Sequence, residues 1–113
     1  YIPELITGTV DEKTIKEKIL NWISIHKPDV LISNYGATLP ALLEKHGVRV
    51  PEDTGYFCMD IVPGENHLSG LIQRRRIAYK TIVELLLRNE YGPPEHPACI
   101  QIPAVWNEGR TLL

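Results

Sequence analysis

Two polar positions stand directly behind short apolar runs in this chain. Asn34 and Tyr35 follow Val30-Leu31-Ile32-Ser33, and Asp60 follows the run from Gly55 to Met59. An amide donates and accepts hydrogen bonds and a carboxylate accepts them, so Asn34 and Asp60 together suit a ligand rich in hydroxyl groups. Each residue also has a local alternative, because asparagine favours helix caps and aspartate favours turns. The ligand reading therefore stands beside one in which Asn34 caps the next helix and Asp60 starts a loop.

Other chemistry has little support. His26, His46, His67 and His96 are far apart and lack metal-ligand spacing. There is no glycine-rich phosphate loop and no nucleophile elbow. Ser33 and Ser69 have no base partner in the sequence pattern. No catalytic residue, metal or cofactor is expected, and an enzyme is the least supported class. Arg74-Arg75-Arg76 is the only basic run. Three charges make a small electrostatic footprint, which favours a solvated helix start over a phosphate site. Trp22 and Trp106 are expected in the core or at a subdomain contact.

The elements that position these residues follow from periodicity. Thr9 and Glu12 have capping-box spacing, and Ile15, Ile19, Trp22 and Ile23 recur at helical intervals, predicting a helix over 11–26. Pro28 ends it and biases Lys27 toward an extended backbone. The run 30–33 and the run 55–59 lack polar alternation, as strands of a parallel sheet covered on both faces do. A helix over 37–45 packs through Leu39, Leu42 and Leu43, tolerates Pro40 near its start and ends at Gly47. Residues 61–69 read as a loop. A third helix over 75–89 shows Ala78, Ile82, Leu85 and Leu86 on one side, with Glu84 and Arg88 as an i,i+4 pair. Gly92-Pro93-Pro94 breaks it, and a last strand is predicted over 98–102. Alternating helices and strands imply an α/β fold with a largely parallel sheet flanked by helices.

The 113 residues carry a formal net charge of −2, with both signs interspersed, so this segment holds no broad basic face for nucleic acid. No apolar run is long enough to span a bilayer. Cys58 and Cys99 lie in apolar runs and read as buried, reduced thiols of a cytoplasmic protein. The chain opens at Tyr1 without a methionine, so its start is expected to be truncated.

Several stretches together resemble the LacI/GalR family of bacterial transcription regulators. Pro28-Asp29-Val30-Leu31-Ile32-Ser33-Asn34 resembles a family strand that ends in a ligand-contacting asparagine. Gly47-Val48-Arg49-Val50-Pro51-Glu52-Asp53, and the run into Met59-Asp60, resemble its G-x-x-V-P-x-D and G-[FY]-D segments. Ser69-Gly70-Leu71-Ile72-Gln73 is similar to a segment ending in glutamine before the next helix, and Val83-Glu84-Leu85-Leu86-Leu87 to the end of that helix. Ile102-Pro103 and Trp106 to Thr111 resemble the C-terminal tail. The likeness covers residues 27–113 in order. Tyr35, Met59 and Ala78 depart from the family pattern, and Tyr35 would narrow the pocket or stack on a sugar.

The resemblance implies the C-terminal fragment of a two-lobed, type I periplasmic-binding-protein-like sensor domain. Residues 1–71 and 105–113 would form part of the C-terminal lobe, and 75–102 would belong to the N-terminal lobe. By position, Asn34, Asp60 and Gln73 would contact a small effector such as a sugar, and Leu39 would lie at a homodimer interface. Operator DNA would be bound only through a headpiece absent from this chain. The alternative is a periplasmic sugar-binding protein of an ABC transporter, distinguished by a secretory signal upstream in place of a helix-turn-helix. A fragment with part of its covering missing is expected to self-associate through exposed apolar faces or exchanged strands.

Overall fold

The computed structural model describes residues 12–88 and 99–113. Helix α1 spans Glu12–His26, strand β1 Val30–Ser33, helix α2 Thr38–Lys45, strand β2 Gly55–Cys58, strand β3 Ser69–Ile72, helix α3 Arg75–Leu87 and strand β4 Val105–Asn107. The chain is α/β, and the described residues form four strands in the order β1-β2-β3-β4. β1, β2 and β3 run parallel, and β4 returns antiparallel to β3.

Local signals end the first two helices. Lys27 does not extend before Pro28; it takes a positive φ of 42° and its N–H reaches the Ile23 carbonyl at 2.8 Å, closing α1 with a left-handed residue. The proline follows only after that turn is made. At the end of α2, Gly47 adopts φ 81°, so its N–H meets the Glu44 carbonyl and the Val48 N–H meets Leu43, each at 3.0 Å. Glycine takes this conformation without a Cβ penalty. The proposed Thr9 cap and the Gly92-Pro93-Pro94 break lie outside the described residues.

One face of the sheet is covered. Ile19 and Ile23 of α1 and Leu39 and Leu43 of α2 pack with Leu31, Tyr56, Cys58, Ile61 and Leu68 in one buried cluster. Among the described residues no helix covers the other face, where both faces were expected to be covered. Val30 and Ile32 project from it, Ile32 at 67% exposure, because successive strand residues point to opposite faces and the described helices α1 and α2 pack on one of them. Phe57 and Trp106 lie on this open side with ring centroids 5.9 Å apart.

α3 buries none of its residues. Ile82 and Leu86, expected to face a core, are more than half exposed. Its apolar stripe meets no facing element among the described residues. Glu84 pairs with Lys80, at 3.7 Å, rather than with Arg88 as its spacing predicted.

Two strands were not anticipated, and one anticipated strand is absent. Residues 99–102 carry no regular structure. β3 and β4 instead pair at Gly70–Asn107, Leu71–Trp106 and Ile72–Val105. β4 has three residues, too few to show a period, and exists through its pairing with β3. Cys99 is exposed, not buried, because the strand expected to enclose it does not form; Cys58 is buried and both thiols are free.

A turn clamp delivers the chain into β2. The Asp53 carboxylate accepts from the Arg49 backbone N–H and Nε, both at 2.9 Å, and from Nη2 at 2.5 Å. These bonds hold the Asp53 carboxyl down at about 2, against 3.8 ordinarily, and push the guanidinium of Arg49 upward. A carboxyl lowered on folding stabilises above its unfolded value and loses that contribution as pH falls through its folded one. Carbon-13 NMR should therefore show Asp53 titrating near pH 2, with the turn loosening there. Titration at the ordinary carboxylate value would show that the clamp does not form in solution.

Candidate functional site

Because β1, β2 and β3 are parallel neighbours, their carboxyl ends share one edge of the sheet, the edge at which open α/β sheets bind ligands. Asn34 and Tyr35 follow β1, Asp60 lies two residues past β2, and Gln73 follows β3 directly. The pairing continues beyond the strand ends: Met59 N–H meets the Ser33 carbonyl and Ile61 N–H meets the Leu71 carbonyl, each at 2.8 Å. The edge is thus held together by main-chain bonds.

The helix-cap alternative for Asn34 is not realised. α2 begins at Thr38 with Ala37 as its capping position and has no side-chain cap of its own. The start of α2 is served from a distance by Glu65. Its Oε1 accepts from the Ala37 N–H at 2.9 Å, and its Oε2 accepts from Val62 N–H at 3.4 Å. A carboxylate at a helix N-terminus offsets the positive end of the helix dipole. Gly36 turns with φ 57° beside it, where a Cβ would come within 2.6 Å of Oε1. Asn34 is left exposed, with no side-chain hydrogen bond among the described residues.

Beneath the edge, Ser33 Oγ and the Tyr56 hydroxyl are 3.0 Å apart, and the Tyr35 N–H donates to Ser33 Oγ at 3.2 Å. Burial pushes the Tyr56 phenol up to about 12 and also raises the Cys58 thiol. Both groups stay protonated at neutral pH. A buried thiol raised in this way is a poor nucleophile, so this cluster is structural.

Asp60 and Gln73 are drawn together around the start of α3. Asp60 Oδ2 forms an ion pair with Arg75 Nη2, and Gln73 Nε2 donates to the Met59 carbonyl at 3.2 Å. Asp60 Oδ1 is buried with no hydrogen-bond partner. Nearby opens a cleft of 670 Å³ between the loop 61–66 and the start of α3, lined by Gln73, Arg74, Arg75 and Arg76. Asn34, Tyr35 and Asp60 lie on the same edge but do not line this cleft, and Gln73 does. The arginine run is exposed at the start of α3, as its reading as a solvated helix start implies, and Arg75 is in addition a partner of Asp60. Its position at the first turn of the helix behind Gln73 was the available signal.

Leu39, on the packing side of α2 as its periodicity implies, is 6% exposed and belongs to this chain's own core. Its side of α2 turns toward β1 and β2, the apolar surface within reach.

Among the described residues no group of three or more His, Cys, Asp or Glu could hold a metal ion, and no helix is long and apolar enough to cross a membrane. Comparison of the chain with protein families, with curated proteins and with solved structures returns no match.

Proposed function

We propose that this chain is the effector-binding part of a LacI/GalR-type transcription regulator, of type I periplasmic-binding-protein-like architecture, that senses a small hydroxyl-rich molecule. DNA binding would come from a headpiece outside this chain, and the sensor would be cytoplasmic and non-enzymatic. Ligand binding would shift the balance between arrangements of two lobes, which a homodimer would pass to the DNA. The open sheet face around Ile32, Phe57 and Trp106 offers apolar surface for such contacts.

The observation that carries this reading is Asp60 Oδ1, a buried acceptor with no donor, at the carboxyl edge of three parallel strands. An unsatisfied buried acceptor is costly, and a ligand hydroxyl that reaches it as the edge opens would recover that cost. Asn34, Tyr35 and Gln73 stand on the same edge as further contacts.

Thermal shift with pentoses, hexoses and purines would find a binder, and calorimetry would then compare Asp60→Ala with the parent. Loss of this carboxylate should weaken binding by about 1–3 kcal/mol. Unchanged affinity would remove Asp60 from the site and the main support for the reading.

A further inference from the structure

We infer that the ligand of this edge carries an anionic group, as a sugar acid or a sugar phosphate does, seated on Arg74, Arg76 and the first turn of α3. This rests on the reading that the edge binds a hydroxyl-rich molecule and adds its charge.

The cleft beside the edge has 670 Å³, within the usual range for a small-molecule site, and its lining holds three arginines and no acidic residue. Arg75 is neutralised by Asp60. Arg74 and Arg76 have no acceptor among the described residues, so two positive charges remain uncompensated in the cleft. A guanidinium presents paired N–H donors in a plane that matches carboxylate and phosphate oxygens alike.

The helix adds to this field. α3 has no acidic residue in its first turn and no side-chain cap at Arg74, so neither its first turn nor its cap offsets the positive end of its dipole. The Arg76 N–H, in that turn, has no acceptor among the described residues. At the start of α2 the same need is met internally by Glu65. Among the described residues no carboxylate does this for α3.

The two halves of the ligand are thereby assigned. Its hydroxyl groups meet the amide of Gln73, which lines the cleft beside Asp60, while its anionic group meets Arg74 and Arg76. The Asp60–Arg75 pair stands between them, holding the carboxylate in place and preventing it from repelling the anion.

The test is calorimetry on the chain with a panel of neutral pentoses and hexoses, the matching uronates and the matching sugar phosphates, with inorganic phosphate alongside. Either charged series should bind about tenfold or more tightly than its neutral counterpart, and which series wins identifies the anion. That advantage should shrink with added salt and vanish in the doubly substituted Arg74→Ala, Arg76→Ala chain, whose exposed changes leave circular dichroism unaltered. Neutral sugars binding as tightly as charged ones would overturn the inference and leave the hydroxyl-rich reading intact. Inorganic phosphate binding as tightly as the sugar phosphates would overturn it as well. No binding by any member of the panel would overturn both.

Discussion

Replacing Gly70 by alanine is expected to destabilise the fold by about 2–5 kcal/mol, combining a left-handed backbone penalty with overpacking. Gly70 has φ 148°, and a Cβ there would overlap the backbone carbonyl of Cys58 on the neighbouring strand. That neighbour is main chain at the Cys58–Gly70 pairing, so no rotamer can relieve the clash. β2 and β3 would have to separate at the edge that carries Asp60 and Gln73. Urea unfolding of Gly70→Ala against Gly64→Ala separates the causes. Gly64 also has a positive φ, 97°, but a Cβ at that position would meet nothing within 4 Å, so only the conformational penalty of about 1–2 kcal/mol applies there. Equal losses at the two glycines would refute the close approach of the strands.

Replacing Thr111 by valine is expected to cost about 2–5 kcal/mol, because it leaves a buried donor and a buried acceptor unpaired at about 1–3 kcal/mol each. Thr111 is buried, and its hydroxyl donates to the Tyr56 carbonyl at 2.7 Å while accepting from the Ser69 N–H at 2.8 Å. Its main chain completes the junction: the Thr111 N–H reaches Ser69 Oγ at 3.1 Å, and the Tyr56 N–H reaches the Thr111 carbonyl at 2.6 Å. One tail residue thus ties the beginnings of β2 and β3 together. Thr111→Ser keeps the hydroxyl and should lose only the methyl contribution, about 1 kcal/mol. If serine costs as much as valine in urea unfolding, packing and not hydrogen bonding anchors the tail.

Both predictions concern the region where the sequence was least informative. The first helix and the first two strands could be read because Ile19 and Ile23 keep a helical interval and because unbroken apolar runs signal buried strands. α2 was readable from Leu39 and Leu43 and from the glycine that closes it. β3 was passed over because Ser69-Gly70 offers little side chain to show a pattern. β4 was passed over because its three residues are ordered by pairing and by Thr111. The strand expected at 98–102 followed from apolarity alone, and Cys99 and Ile100 are exposed.

For the candidate site, residue types were enough to nominate Asn34 and Asp60, and the resemblance nominated Gln73. Their partners were not readable. Arg75 meets Asp60 across 15 positions, and Glu65 meets Ala37 across 28. No local periodicity encodes a pairing at such separations; only the parallel alignment of the strands brings these residues to one edge.

Composition, helical spacing and apolar runs determined an α/β chain whose polar residues follow its buried strands, since those preferences act between near neighbours. Tertiary structure alone decided that the described helices leave one sheet face open, that Thr111 anchors the tail and that Asp60 shares its charge with Arg75. Each depends on which distant segments meet, and that is settled by the packing of the whole chain.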